Sequence, residues 1–413
     1  MIEYRLNSLT IERTKPMFAK ELLYPVLETS CPFIHETRLN AILDVAQALQ
    51  HSQNLSLSEM GRHLAGNSEN KHKIKKVDRL EGNKKLHKEL GGIYAGLSEY
   101  VFKYISQDKS VPIIVDLCFV KDDGLVQMLS AEIATKGRTL PVYREIFKEG
   151  ELKNRESTFL QNVKNCLPEG REVVIIMDAG FYEDWFAAIE AHGWHWLCRI
   201  RSGKALSFSE GEDWISVKDF IPQVKEKTTD YKEVYLTKSH QRACRLITTR
   251  RVYKGRSAKT RRGVKASKIA SGSYRSAAKE PWILATNLPN TYKGVSIVQL
   301  YSKRMQIEES FRDIKSHQFG LCGRYVRTQC IHRWGVKMLL AAIVQIACWI
   351  IGVIGHSQGM QRYFQANTVK DRKVFSYFTL GRLILEHERI HTLKWESERK
   401  LSQIIQEELA REW

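Results

Sequence analysis

The chain has 413 residues, 43% of them hydrophobic, enough for a large core shared between two or three domains. Lys and Arg number 65 against 46 Asp and Glu, and the resulting formal charge of +19 excludes an ordinary soluble metabolic enzyme and points to a polyanion partner. The eight cysteines form no CxxC pair and read as reduced thiols, and the start Met1-Ile-Glu-Tyr-Arg-Leu lacks the apolar core of a signal peptide, so the chain is expected to stay inside the cell.

Residues 1–105 carry helical periodicity with little β-branched content, and we expect a small all-helical domain there. Leu57-Ser-Glu-Met-Gly-Arg-His-Leu64 reads as a short helix with a Ser cap, Ala65 to Asn70 as a turn, and Lys71-His-Lys-Ile-Lys-Lys-Val-Asp-Arg79-Leu80 as a second helix. That is a helix-turn-helix pattern suited to reading DNA. Ile74, Val77 and Leu80 would face the core, leaving Lys71, Lys73, Lys75, Lys76 and Arg79 to phosphate or, on the plainer reading, to solvent.

The period then changes to strands. Val111-Pro-Ile-Ile-Val-Asp116-Leu is a short apolar run ending at an acid, and Leu125 to Ala134 with Leu140 to Tyr143 supply two further strands joined as hairpins. A helix over Glu156 to Cys166 precedes Val173-Val-Ile-Ile-Met-Asp178, a second buried strand with an acid at its carboxyl end. A helix from Tyr182 to Ala191 and a strand from Trp194 to Ile200 complete the run. Three antiparallel strands, a helix, a parallel-type strand, a helix and another strand is the order of a ribonuclease-H-like α/β fold, and we assign its first part to 106–203.

Residues 204–279 read as a β-rich insertion, with strands such as Glu233-Val-Tyr-Leu and Cys244-Arg-Leu-Ile-Thr-Thr. It ends in a polar loop, Lys254 to Lys268, whose Lys254, Arg256, Arg261 and Arg262 fit either a polyanion contact or a solvated linker. The second part of the core is expected over 280–365, opening with the strand Pro281 to Thr286 and continuing in one long helix, Val295 to Asp313. Met338 to Ile354 is nearly all apolar but short for a membrane span, and reads as a buried helix, so no membrane partner is expected. Residues 366–413 read as a C-terminal helical region for end binding and dimer contacts.

Asp116 and Asp178 each end a buried apolar strand, where a carboxylate is costly unless a cation compensates it. Sites in open α/β sheets form at the carboxyl ends of strands. A third acid arriving on a helix, Glu308, would complete an oxygen cage for Mg²⁺ or Mn²⁺, and two such ions suit phosphodiester cleavage and strand transfer. In Tyr301-Ser-Lys-Arg304-Met-Gln-Ile-Glu308-Glu-Ser-Phe-Arg-Asp-Ile-Lys315, helical spacing puts the tyrosine, both cations and the acid on one side.

The spacing Tyr301-x2-Arg304-x3-Glu308-x6-Lys315 resembles the YREK signature of bacterial insertion-sequence DDE transposases, and most of the chain is similar to the insertion sequence 4 family, insertion sequence 10 branch. Lys71 to Leu80, Asp178-Ala-Gly-Phe181, Ala278 to Pro289 and Phe364-Gln-Ala-Asn-Thr368 carry further likeness. The resemblance implies a cut-and-paste transposase of the bacterial cytoplasm, associated with the nucleoid, with a ribonuclease-H-like core split by a β-insertion. Its catalytic and metal-binding triad would be Asp116, Asp178 and Glu308 with two Mg²⁺ or Mn²⁺ ions, while Glu309, about 100° round the helix, would not be a ligand.

The same resemblance makes Tyr301, Arg304 and Lys315 contacts to transposon-end DNA. It makes Trp282 the surface on which a flipped base stacks, although a buried core tryptophan would look the same. Arg199 and Arg201, by the strand from Trp194 to Ile200, are expected as further phosphate contacts. The expected partners are double-stranded DNA, as inverted-repeat ends and as target, and a second copy of the chain in a dimeric synapse. A nuclease on the same fold would share the triad without strand transfer, and a regulator derived from a dead transposase would have lost an acid. His192 and His195 lack the single-residue spacing of histidine nickases.

Overall fold

The computed structural model describes residues 19–105, 110–121, 123–135, 137–250, 280–316, 320–366, 368–369, 374–387, 389, 393 and 398–410. Lys254, Arg256, Arg261 and Arg262 lie outside these residues, as does the rest of the expected basic loop.

Ten strands form one mixed sheet: β1 (Val111–Phe119), β2 (Val126–Ala134), β3 (Thr139–Lys148), β4 (Val173–Met177), β5 (His195–Arg199), β6 (Ala205–Ser207), β7 (Ile215–Ser216), β8 (Thr229–Leu236), β9 (Arg242–Thr249) and β10 (Trp282–Thr286). Their order is β3-β2-β1-β4-β5-β10-β9-β8-β6-β7. β1 runs antiparallel to β2 and parallel to β4, and β4 runs parallel to β5. This mixed α/β arrangement is compatible with the ribonuclease-H-like order expected from the element sequence. The parallel pair explains why β4 is apolar and buried throughout, since helices cover strands that have crossover connections.

The strands between residues 205 and 249 are not a separate β unit. β10 pairs with β5 on one side and β9 on the other, so these strands extend the core sheet edge to edge. Composition could mark the change of pattern near residue 204 but not this pairing, which depends on a strand far along the chain.

Among the described residues five helices precede the sheet, at Ala19–Ser30, Glu36–Ser52, Leu57–Arg62, Asn70–Glu81 and Lys84–Phe102. Ser56 caps the third, accepting from the Glu59 N–H at 3.3 Å. Gly61 sits where the Leu57–Arg62 and Asn70–Glu81 helices cross. A Cβ there would come within 2.6 Å of Ile74 Cα, so the crossing needs a residue without a side chain.

Four of these helices pack on Ile331–Ser357, a 27-residue helix whose apolar window is wholly buried inside the protein although it is long and apolar enough to cross a membrane. Within that run Lys337 is buried, and its ammonium donates to the Leu55 carbonyl at 2.8 Å and to Glu81. Arg333 joins the cluster from the preceding turn, 2.7 Å from Asp78 and 3.5 Å from Glu81. Burial raises the Glu81 pKa and lowers that of Lys337, in each case against the attraction of the partner.

The expected single helix over Val295 to Asp313 is two helices, Gly294–Ser302 and Met305–Lys315. Between them the backbone stays helical at Lys303 and Arg304, but the hydrogen bonds tighten to three-residue steps: Arg304 N–H to Tyr301 at 3.0 Å and Gln306 N–H to Lys303 at 2.9 Å. Periodicity alone does not distinguish such a tightened turn from an unbroken helix.

Candidate active site at the strand ends

Parallel pairing sets the first two acids side by side. Val115 faces Met177 in the β1–β4 register, so the next residues, Asp116 and Asp178, emerge side by side. Asp178 directly follows β4, whereas β1, expected to end at its acid, runs on to Phe119 and pairs Asp116 with Ser130 of β2, because its other edge keeps a partner after β4 has ended. Asp116 Oδ1 accepts from the Leu117 N–H at 2.8 Å. The turn after β4 is held from β5, where the Cys198 thiol donates to the Asp178 carbonyl at 3.3 Å.

The two helices that carry the signature string close over these ends. Arg304, with its side chain only 8% exposed, places Nη1 3.0 Å from Asp116 Oδ2 and Nη2 2.7 Å from Glu308 Oε1. Its guanidinium therefore sits between those two carboxylates. The Tyr301 hydroxyl donates to Asp178 Oδ1 at 3.3 Å, and Arg201 reaches within 3.6 Å of Asp178 Oδ2. Glu308 remains 46% exposed, its free edge open to solvent.

Burial pushes the Asp116 carboxyl up to about 6, against the pull of Arg304 and the Leu117 N–H. Burial acts the same way on Asp178, but Arg304, the Ala179 N–H, Arg201 and Arg199 outweigh it and hold that carboxyl below its ordinary value. Burial works against the charge on Arg304, yet Tyr301, Asp178, Asp116 and Glu308 around it raise its pKa. Burial and the charge on Asp178 drive the Tyr301 phenol up, so it stays a neutral donor. Burial and neighbouring cations thus shift the two adjacent carboxyls in opposite directions, the kind of perturbation that clusters at functional sites.

Other expected residues lie around this centre. The Trp282 ring is half-buried and meets Tyr301 edge to face, with centroids 5.0 Å apart, so it adjoins the site through the tyrosine that bonds Asp178. Arg199 lies 3.6 Å from Glu280 beside it. Lys315 does not reach the acids; its ammonium lies 5.8 Å from the Phe311 ring centroid, and its charge acts on Cys118, two residues beyond Asp116 in β1. Glu309 turns away to Arg312 at 2.6 Å and to Arg138 at 4.0 Å.

Lys71, Lys73, Lys75, Lys76 and Arg79 are remote from the strand ends, on the Asn70–Glu81 helix. Lys71 is paired with Glu69 at 2.7 Å and Lys76 with Asp44 at 3.0 Å, whereas Lys75 and Arg79 are exposed with no carboxylate partner among the described residues.

Sequence reasoning missed two features here. Arg304 was expected as a DNA contact alone, and its role as counter-ion to Asp116 follows only from the helix closing over β1. The buried pair Glu132 and Arg144 beneath the site was also unforeseen. Its one signal was opposite charges in the neighbouring, otherwise apolar strands of a hairpin.

The donor set fits a hard divalent cation: three carboxylates, one of which, Asp116, has a largely covered side chain and needs positive charge beside it. Among the described residues, however, no three His, Cys, Asp or Glu side chains stand close enough as they lie to hold a metal ion, because Arg304 parts Asp116 from Glu308.

A mixed sheet with two acids side by side on adjacent parallel strands, closed over by a cation-bearing helix, defines an α/β protein with a polar site on its central strands. The chain belongs to the transposase DDE domain family, whose model matches residues 128–343. The match begins within β2, beyond Asp116, and includes Asp178 and Glu308. No curated protein matches the chain. It is thus a DDE transposase, an enzyme whose partner is DNA.

Proposed function

We propose that this transposase works by cut-and-paste, in the manner of the insertion sequence 4 family and its insertion sequence 10 branch, with Asp116, Asp178 and Glu308 as its catalytic triad. The observation that carries the reading is the convergence of one string on both strand acids: Tyr301 bonds Asp178, and Arg304 bonds Asp116 and Glu308. Two residues of the YREK spacing thereby contact the two acids read independently from the apolar runs, and a third, Glu308, is joined to them through Arg304.

In this reading the three carboxylates hold two Mg²⁺ or Mn²⁺ ions, which when bound would activate the attacking oxygen and stabilise the leaving one. Arg304 then exchanges carboxylate for DNA phosphate, a role suited to a planar guanidinium. Tyr301 orients Asp178 and supports Trp282, whose exposed face takes a base swung out of the duplex. Arg199, Arg201 and Lys315 line the phosphate path on either side.

Water attack frees a 3′-hydroxyl at the transposon end, and that hydroxyl attacks the opposite strand to close a hairpin. A second water reopens it, and the 3′ ends join target DNA. Residues 1–105 bind end DNA through the helix-turn-helix-like segment, 106–203 and 280–365 form the catalytic core, 204–279 is the insertion with its basic loop, and 366–413 bridges two copies in a synapse on the bacterial nucleoid.

The test is a cleavage and strand-transfer assay with Mg²⁺ on DNA carrying the element's own ends, comparing wild type with Glu308→Gln and Glu309→Gln. Excision lost only with the Glu308 change supports both the triad and the transposition reading. Loss only with Glu309 would move the site, and cleavage without strand transfer would make the protein a nuclease.

A further inference from the structure

The helix Met305–Lys315 is anchored from below by a hydrogen-bonded chain that does not touch the strand-end acids. Ser310 is buried, and its Oγ accepts from the Thr139 N–H at 2.9 Å and lies 2.8 Å from Thr139 Oγ1. The Thr139 hydroxyl in turn donates to Glu132 Oε2. Glu132 Oε1 accepts from Ser130 Oγ at 2.6 Å and from Arg144 Nε and Nη2 at 3.1 and 2.6 Å, and Arg144 Nη2 also donates to Gln345 at 2.7 Å. The Glu132 and Arg144 side chains have no exposure at all.

This chain begins on the strand pair that bears Asp116. Ser130 stands opposite Asp116 in the β1–β2 register, and Glu132 stands opposite Ile114. It ends on the helix that bears Glu308, two residues before Ser310. Of the other buried residues of that helix, Ile307, Phe311 and Ile314 are apolar, and Asp313 is a second polar tether one turn further on, accepting from Arg138 Nε at 2.5 Å and Nη2 at 3.3 Å. Apolar contact is non-directional and permits rotation and sliding, whereas a hydrogen bond fixes distance and angle. A fully buried ion pair also adds little net stability compared with an apolar replacement, so its value lies in geometry.

We propose that Thr139, with Glu132 and Ser310, is a positioning residue that sets the rotation and height of the Glu308 helix above Asp116. The proposal rests on the triad reading given above. Glu132 is the fixed point, held by Arg144 and Ser130; Thr139 transmits it; Ser310 receives it on the helix. None of the three contacts DNA.

The experiment compares Thr139→Val, which keeps shape and removes the hydroxyl, with Thr139→Ser, which keeps the hydroxyl, in the full chain. Two readouts are taken: amide hydrogen exchange over residues 305–315, and single-turnover cleavage of end DNA at saturating concentration alongside DNA affinity. Thr139→Val is expected to speed exchange in that helix by about tenfold and slow cleavage by at least about tenfold, with DNA affinity held within about twofold. Thr139→Ser is expected to match wild type. Equal loss in both variants would assign the effect to packing, and unchanged exchange in Thr139→Val would overturn the proposal. Should Thr139→Val fail to fold, Ser310→Ala reads the same helix with the same two outcomes. If wild type itself does not cleave, the triad reading fails while hydrogen exchange still decides the positioning role.

Discussion

Arg304 Nη1 stands 3.0 Å from Asp116 Oδ2, giving a fixed positive charge to an acid of β1 whose pKa burial raises. The guanidinium occupies ground that a divalent cation would need, and the two must compete for the same oxygens. Arg304→Gln should therefore tighten Mn²⁺ binding to the DNA-free protein by about tenfold, equivalent to about 1.4 kcal/mol, while lowering the rate of DNA cleavage. Titration of Mn²⁺ followed by electron paramagnetic resonance reads the first effect. Weaker Mn²⁺ binding in the variant would mean that Arg304 assembles the site instead of holding its place.

Unequal ion pairing along the Asn70–Glu81 helix should appear in the salt dependence of DNA binding. Lys75 and Arg79 have no carboxylate partner among the described residues, whereas Lys76 is committed to Asp44. Lys75→Ala and Arg79→Ala should each flatten the slope of log affinity against log salt by about 0.9, and Lys76→Ala by less. Fluorescence anisotropy at several salt concentrations gives the slopes. Equal slopes for all three variants and wild type would remove this helix from the phosphate contacts.

Burial pushes Asp313 up to about 6 even though Arg138 Nε lies 2.5 Å away. Because its folded value lies above the ordinary 3.8, the native state holds its proton longer than the unfolded state does. Stability from this group is present below pH about 4 and is lost as pH rises through about 6, with a ceiling of roughly 3 kcal/mol. Asp313→Asn cannot titrate, so the thermal midpoint of wild type minus that of the variant should be larger at pH 5 than at pH 7.5. A difference independent of pH would show that the Arg138 pair outweighs burial.

Lys337 and Glu81 join the N-terminal helices to the Ile331–Ser357 helix in a fully buried pair. Lys337→Met alone strands a buried carboxylate and should cost about 3–5 kcal/mol in chemical denaturation. Combining it with Glu81→Leu should recover most of that loss, since the buried carboxylate is then removed together with its ammonium partner. A double variant no better than the single one would mean that Glu81 has another buried partner that matters more.

The parts of this molecule that could be read from the sequence were those written in local pattern. Apolar runs broken by an acid singled out Asp116 and Asp178, which lie side by side in the structure, although β1 continues three residues beyond its acid. The helix string singled out Tyr301, Arg304 and Glu308 through spacing, and Glu309, one residue round the helix, pairs with Arg312 instead. What stayed hidden depends on partners distant in sequence. Periodicity tells which way a side chain faces but not what it meets, so Glu132 with Arg144, Lys337 with Glu81 and Arg304 with Asp116 were invisible as pairs. The pairing of β10 with both β5 and β9 was hidden for the same reason.

The burial of Ile331–Ser357 also bears on the order of events during synthesis. The helices between Ala19 and Phe102 emerge from the ribosome first, yet the helix on which four of them pack is separated from them by more than half of the chain. At ~5–20 residues per second, on the order of ten seconds or more passes before that partner exists. Throughout this interval Glu81 stays hydrated and the inner faces of the early helices lack their seat. The helices between Ala19 and Phe102 are thus made well before the helix they pack on, and are among the last parts to reach their final packing.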